Sequence, residues 1–274
     1  VIPDVLNFTW IGVDNTRWPF GECGIDLSKT PQGLGGAAFT HLWQNNARQL
    51  GRTWKGMTNE HMEIVFDIIV RSGRTESFWR EFHSTWRDSL GRGDRKGTFL
   101  VTSTERGHWW ADARLGQAIQ TDDWQKPGVL GEASERIVLF SDFTFWRGVD
   151  EVRTFNVADL FAPTRMQNRG DQPVWLKYEL TGPGQWHVGV DGEVVSLPRI
   201  GPGQKLLVDT DIEDPRIHLG SWTGESMWGE MGDQFFFKKA PATPLVDLHL
   251  VCDGGINGRS KATVTLSPLR ERAW

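Results

Sequence analysis

A single tyrosine and two cysteines are all that 274 residues carry of those two types. Cys23 and Cys252 lie far apart in sequence and belong to no Cys-x-x-Cys or Cys/His group. A disulfide framework or a structural zinc is therefore not expected, and two free thiols in a reducing compartment are. Long apolar runs are also missing. The best of them, Ile64 to Val70, is broken by Asp67 and falls short of the roughly 18–20 residues that a membrane span needs. No signal peptide is expected before the first strand-like segment. Lys and Arg form no stripe, and the formal net charge is −5. That balance argues against a grip on nucleic acid built on phosphate neutralisation and is compatible with nucleic acid passing by without sticking.

The signatures of catalysis are equally scarce. His41, His61, His83, His108, His187, His218 and His249 stand in no metal-ligand spacing, and His83 is expected to be a packing or surface residue of a helix. There is no Gly-x-Ser-x-Gly elbow. Gly33, Gly35 and Gly36 lack the strand-then-helix setting and the Lys-Ser/Thr ending of a phosphate loop. Asp209, Asp211 and Asp214 could offer oxygens to Ca²⁺, but a loop with spaced ligands, a central Gly and a terminal Glu is missing. A strand running into a Pro-terminated turn explains them as well. The expectation is a chain with no catalytic, cofactor-binding or metal-binding residues, and not an enzyme.

What the chain does have is tryptophan, 15 residues in all, within an ordinary globular background of 38% hydrophobic and 24% charged residues. Trp supplies a large contact area at low rotamer cost and is enriched in interface cores. Most are expected in domain cores, leaving several for contacts between chains or domains. The length suits two domains, with a boundary near the polar stretch Arg147 to Glu151.

The opening residues read as short strands turning at Asp14-Asn15. Gly21 to Trp43, rich in Gly and Pro, reads as a loop or extended arm. Met62, Ile64, Phe66, Ile68 and Val70 alternate strictly and predict a strand with one face in a core. One helix is expected over about 76–90, N-capped by Thr75 and stopped by Gly91, with an apolar stripe through Phe78, Phe82 and Trp86, widened by Trp79 and Leu90. Glu76 and Arg80 form a well-oriented i,i+4 pair. Further strands follow, one with its period carried by Val138 and Phe140 and then, past a bulge, by Phe143 and Phe145. Beyond residue 150 short strands recur about every ten residues with Gly/Pro punctuation. They include a hairpin at Asp191-Gly192 and a strand over Gln234 to Ala240, a pattern that predicts a β-sandwich.

The order of these features resembles the distal tail proteins of siphophages, the minor tail proteins of the tail tip in phages of actinobacterial hosts. In the first half the resemblance lies in GRTWKGMTNEHMEIVFDIIV, then ESFWREFHSTWRDSL, then GTFLVTS. In the second half it lies in NRGDQPVWLKYELTGPG, where Asn168, Gly170, Asp171 and Pro173 carry the turn, then GPGQKLLVDTD ending on Asp209 and Thr210, then LVDLHLV and the terminal RERAW. The resemblance implies a mainly β chain with one amphipathic helix in two domains. Residues 1–150 would be a ring-forming β-sandwich with the helix. Residues 151–274 would be a galectin-like β-sandwich, its last strand either staying within it or returning to the first domain.

It also implies a homohexameric ring between tail tube and tail-tip hub. The partners would be other copies of itself, the tail tube protein, the hub protein and the tape measure protein. Genome DNA would pass through the lumen without specific binding. The protein would be made in the host cytoplasm and end in the virion tail tip, without contact to membrane. The His/Asn/Arg/Trp constellation of sugar-binding galectins is not found, so the galectin-like label implies fold alone. A competing reading is a carbohydrate-binding module for host cell-surface glycan, using Trp175, Trp186, Trp222 and Trp228. A third, glycan hydrolysis by two carboxylates, needs a spatial pairing that spacing does not reveal.

Overall fold

The computed structural model describes residues 5–72, 76–121, 131–156, 159–160, 162–254 and 259–274. The chain is mainly β with a single α-helix, and it divides into two compact units. One comprises Val1–Arg147 with Glu271–Trp274; the other is Gly148–Arg270.

In the first unit, β1 (Leu6–Ile11), β2 (Arg17–Pro19), β3 (Ile25–Leu27), β4 (Phe39–Gln44), β5 (Thr53–Asn59) and β6 (Met62–Arg71) precede α1 (Glu76–Leu90). After it come β7 (Gly97–Ser103), β8 (Gly107–Leu115), β9 (Gln120–Thr121), β10 (Glu132–Ser141) and β11 (Trp146–Gly148), which crosses the division. The main sheet runs in the order β2-β1-β7-β8-β10-β6-β3, and every pair along it is antiparallel. It curls on itself. Phe66 on β6 and Phe99 on β7 meet at 5.5 Å between ring centroids although β8 and β10 separate their strands.

The strict alternation of β6 places Met62, Ile64, Phe66, Ile68 and Val70 in this core, none more than 1% exposed. Alternation works because successive side chains leave opposite faces of a strand, so one buried face fixes the register. The turn at Asp14-Asn15 forms with Asn15 at φ 67°, a left-handed conformation that Asn tolerates.

The helix occupies its expected span, but its buried face is rotated. Trp79, His83, Trp86, Ser89 and Leu90 point inward, while Phe78 is 36% exposed and Phe82 half-buried. Thr75 lies outside the described residues. Gly91, at φ 67°, donates to the Asp88 carbonyl at 3.1 Å and ends the helix.

The rotation has a cause on β10. Glu135 is buried, and three helix side chains meet it. His83 Nε2 lies 2.5 Å from one carboxylate oxygen, Arg87 reaches that oxygen at 2.7 Å, and the Trp86 indole N–H donates to the other at 3.3 Å. His83 also stacks on Trp79 at 4.7 Å. The surface alternative for His83 is thereby corrected: a buried imidazole is tolerated because it is hydrogen-bonded and stacked. Glu135 also reverses the expected phase of β10. Ala133, Glu135, Ile137, Leu139 and Ser141 face inward, Phe140 is only half-buried, and the strand ends at Ser141, leaving Phe143 37% exposed in the turn before β11.

The second unit is a β-sandwich. Its strands are β12 (Glu151–Asn156), β13 (Thr164–Met166), β14 (Leu176–Thr181), β15 (Gln185–Val190), β16 (Val195–Ser196), β17 (Lys205–Asp209), β18 (Arg216–Leu219), β19 (Glu225–Ser226), β20 (Val246–Asp253), β21 (Lys261–Leu266) and β22 (Leu269–Arg270). One sheet runs β12-β21-β14-β17-β18-β19 and the other β13-β20-β15-β16. Tyr178, Leu180, Leu206, Val208 and Val264 from the first share a core with Trp186, Val188, Val246 and Leu250 from the second.

The turn at Asp191-Gly192 forms with φ values of 53° and 80°, both positive as the tight hairpin turn requires. Asn168 ties the turn before β14 by donating to the Gln172 and Pro241 carbonyls and accepting from the Gly170 N–H. Thr210 secures the end of β17 through its hydroxyl, bonded to both the N–H and the carbonyl of Leu176. The expected strand over Gln234 to Ala240 is not one; only Ala240 bridges Val174. Glu193 takes the place of a partner strand there, its carboxylate accepting the Phe237 and Lys238 N–H groups at 2.8 and 3.3 Å.

Candidate assembly interface

The segment expected to be a loop or arm ends in β4, which pairs only with β5 in a two-stranded sheet. The pairing puts His41 opposite Met57 and Trp43 opposite Trp54, with a bulge between Leu42 and Trp43 across from Gly56. The bulge brings Phe39, His41, Trp43, Trp54 and Met57 onto one face. The His41 ring lies 5.2 Å from Phe39, 5.7 Å from Trp43 and 6.5 Å from Trp54, and the Trp54 indole N–H donates to His41 Nδ1 at 3.1 Å. Phe39, Trp43, Trp54 and Met57 are each 51–54% exposed.

A sheet normally hides such a face against a core. Here no described residue covers it, and a contiguous exposed patch of this kind marks an interaction site. The hairpin carries Arg48, Arg52 and Lys55 and no acidic residue between Phe39 and Asn59, in a chain whose formal net charge is −5. The rest of the chain is thus eight charges to the acid side, a complement for the hairpin.

Elsewhere the sequence-derived candidates resolve into structural roles. The Asp209 carboxylate pairs with Lys177 at 2.8 Å and accepts from the Asp211 N–H; Asp211 accepts from the Glu213 N–H; Asp214 pairs with Arg216. These are the local bonds of a turn. Among the described residues no group of three His, Cys, Asp or Glu side chains could hold a metal ion, and no helix is long and apolar enough to cross a membrane. Cys23 and Cys252 are unpaired thiols. Burial raises both above the ordinary thiol value, which suppresses the reactive thiolate.

Of the tryptophans considered for sugar contact, Trp186 is fully buried in the sandwich core and is excluded from that role. Trp175 lies under the Lys239 ammonium, Trp222 is 42% exposed beside His218, and Trp228 stacks on Phe235. Seven tryptophans are buried among the described residues, and Trp43, Trp54, Trp222 and Trp274 are exposed.

Sequence reading missed one constellation. Ser196 Oγ lies 2.8 Å from His187 Nδ1, and His187 Nε2 lies 3.1 Å from Asp253 Oδ2. It is invisible in sequence because β15 pairs on one side with β16, the next strand in the chain, and on the other with β20, which lies far along it. The line resembles a hydrolytic triad only in composition. The Ser196 N–H donates to Gln234 and the Leu197 N–H to the Trp186 carbonyl. Both of these amides are therefore engaged and do not serve as oxyanion donors, a principal source of acyl-transfer rate.

Two units of antiparallel β-structure, one bearing the helix and the aromatic hairpin, make up the fold. The chain is similar to the crystal structure of SPP1 Dit, described as a paradigm of the hub adsorption apparatus in phages infecting Gram-positive hosts: TM-score 0.65 at 12% identity, over 96% of this chain and 99% of that one. It is also similar to a chain of the phage P2 baseplate in its activated conformation with Ca, with TM-score 0.55 at 13% identity, over 96% and 98% of the two chains. No family model and no curated protein sequence matches. At these identities the shared property is the fold.

Proposed function

We propose that the chain is a distal tail protein of a siphophage, of the type found in phages of actinobacterial hosts. Copies of it close into a homohexameric ring that joins the tail tube to the tail-tip hub. The observation that carries this reading is likeness to SPP1 Dit over nearly the whole of both chains. The exposed aromatic face of β4–β5 supports it, since a closed ring needs a heterologous contact in which one patch of each subunit meets a different patch of the next. The first unit forms the ring and the second is a galectin-like appendage. The other partners are the tail tube, hub and tape measure proteins. The protein works through its interfaces and not through catalysis, and it ends in the virion tail tip. An acidic subunit suits a lumen through which DNA slides, because a basic wall would hold the phosphates.

Native mass spectrometry of the purified chain tests the proposal. A hexamer is expected, reduced to monomer by Trp43→Ala with Trp54→Ala. A chain that stays monomeric at high concentration, even beside tail-tube and hub proteins, would overturn it.

A further inference from the structure

The chain holds five methionines, and four of them are shut away from water. Met62, Met166, Met227 and Met231 are between 0% and 7% exposed, whereas Met57 is 54% exposed. We propose that Met57 is a redox-sensitive modification site: a hydroperoxide converts its thioether to the sulfoxide, and a subunit so modified no longer joins its neighbour.

The site follows from where the fold puts sulfur. An oxidant in water reaches a thioether only where the side chain meets solvent, so susceptibility follows exposure. Met62 opens β6 inside the core of the first unit, and Met166, Met227 and Met231 belong to the core of the sandwich. The two cysteines are guarded in a second way. Peroxide attacks a thiolate and not a thiol. Cys23 is half-buried and Cys252 is buried, and burial favours the thiol form of both. Met57 is thus the sulfur that a dilute oxidant meets first.

The step is a single oxygen transfer. The sulfur lone pair attacks one oxygen of hydrogen peroxide, and the O–O bond breaks. The departing hydroxide takes the proton from the transferred oxygen and leaves as water. Sulfur loses two electrons and the peroxide gains them. The product is a sulfoxide, which a methionine sulfoxide reductase returns to the thioether.

The position of Met57 gives the step a consequence. It stands across the ladder from His41, and cross-strand partners lie side by side on one face. That face also carries Phe39, Trp43 and Trp54, with the Trp54 indole N–H holding His41 Nδ1 at 3.1 Å. A flexible, polarisable thioether suits an adaptable apolar contact there. A sulfoxide oxygen is solvated in water, and covering it with another subunit removes that solvation. Assembly and oxidation therefore oppose each other: a seated neighbour shields Met57, and an oxidised Met57 disfavours seating. This consequence rests on the proposed contact through the hairpin face; the modification site itself does not.

Hydrogen peroxide applied to the dilute whole chain, followed by intact mass and peptide mapping, tests the site. One added oxygen, located on Met57, is expected first. Sedimentation velocity of the oxidised chain should show self-association weakened about tenfold or more, and methionine sulfoxide reductase should restore it. Met57→Gln should weaken association without any oxidant, and Met57→Leu should associate equally before and after peroxide. Circular dichroism checks that each sample is folded. Oxygen appearing first on a buried methionine, a cysteine or a tryptophan would overturn the site. An oxidised chain that associates as tightly as the untreated one, or a peroxide effect that persists in Met57→Leu, would overturn the consequence for assembly. An untreated chain that never self-associates would instead strike the hairpin contact itself, and the mapping would still decide the site.

Discussion

Glu135 on a strand and His83 on the helix meet at 2.5 Å, 52 residues apart in sequence, and both are buried. Removing one member of such a group strands the others without solvent. Glu135→Ala should therefore cost about 3–5 kcal/mol, read as a lower midpoint in urea with unchanged slope. Replacing Glu135, His83 and Arg87 together by apolar residues of similar size should recover most of that loss.

Acid should act through the same carboxylate. Burial works to raise the Glu135 carboxyl, but the His83 hydrogen bond and the Arg87 charge outweigh it and hold the group below its ordinary 4.5. A lowered folded-state value favours the folded protein while the group is ionised. The contribution is therefore complete above about pH 4.5 and fades as pH falls through the lower folded value. Glu135→Gln should be less stable at pH 7 and show a shallower loss between pH 5 and about 3, in thermal melts across that range.

The hairpin predicts the opposite pattern. Trp43→Ala and Trp54→Ala alter exposed side chains, so each should change the stability of the dissociated chain by no more than about 0.5 kcal/mol. Each should still abolish self-association in sedimentation velocity. Because Arg48, Arg52 and Lys55 face an acidic remainder, association of the unaltered chain should also weaken from about 0.05 to 0.5 M salt.

Gly189 sits where no side chain fits. A β-carbon there would lie 1.8 Å from the Glu193 carbonyl oxygen, a backbone atom of the adjoining hairpin. Gly189→Ala should cost about 1–3 kcal/mol or more and lower the melting temperature, whereas Gly192→Asn at the turn should be tolerated.

Much of this architecture was legible in the amino-acid order. The period of Met62 to Val70, the helix span and its Gly91 stop, and the Asp191-Gly192 turn all rest on local rules, and local rules survive into the fold. The phase of β10 was not legible, because its inward position 135 holds a charged residue and period-two reading counts apolar residues only. The helix face shifted for the same reason, toward His83. Gln234 to Ala240 carries the composition of a strand, yet Glu193 meets its amides first. The Ser196–His187–Asp253 line depends on strand pairing across 66 residues, which no window along the chain contains. The first strand of the aromatic hairpin hid at the end of a Gly-rich stretch whose composition suggests a loop.

That hairpin has a thermodynamic consequence of its own. A two-stranded ribbon is marginal in water by itself, and β4–β5 joins no other strand among the described residues. In the proposed ring its order and the encounter with another subunit would be one coupled equilibrium: dilution would loosen the ribbon, and crowding of protomers would set it. Backbone amides of Phe39 to Asn59 should exchange with deuterium at a rate that falls as protein concentration rises, while those of β6 exchange at one slow rate throughout.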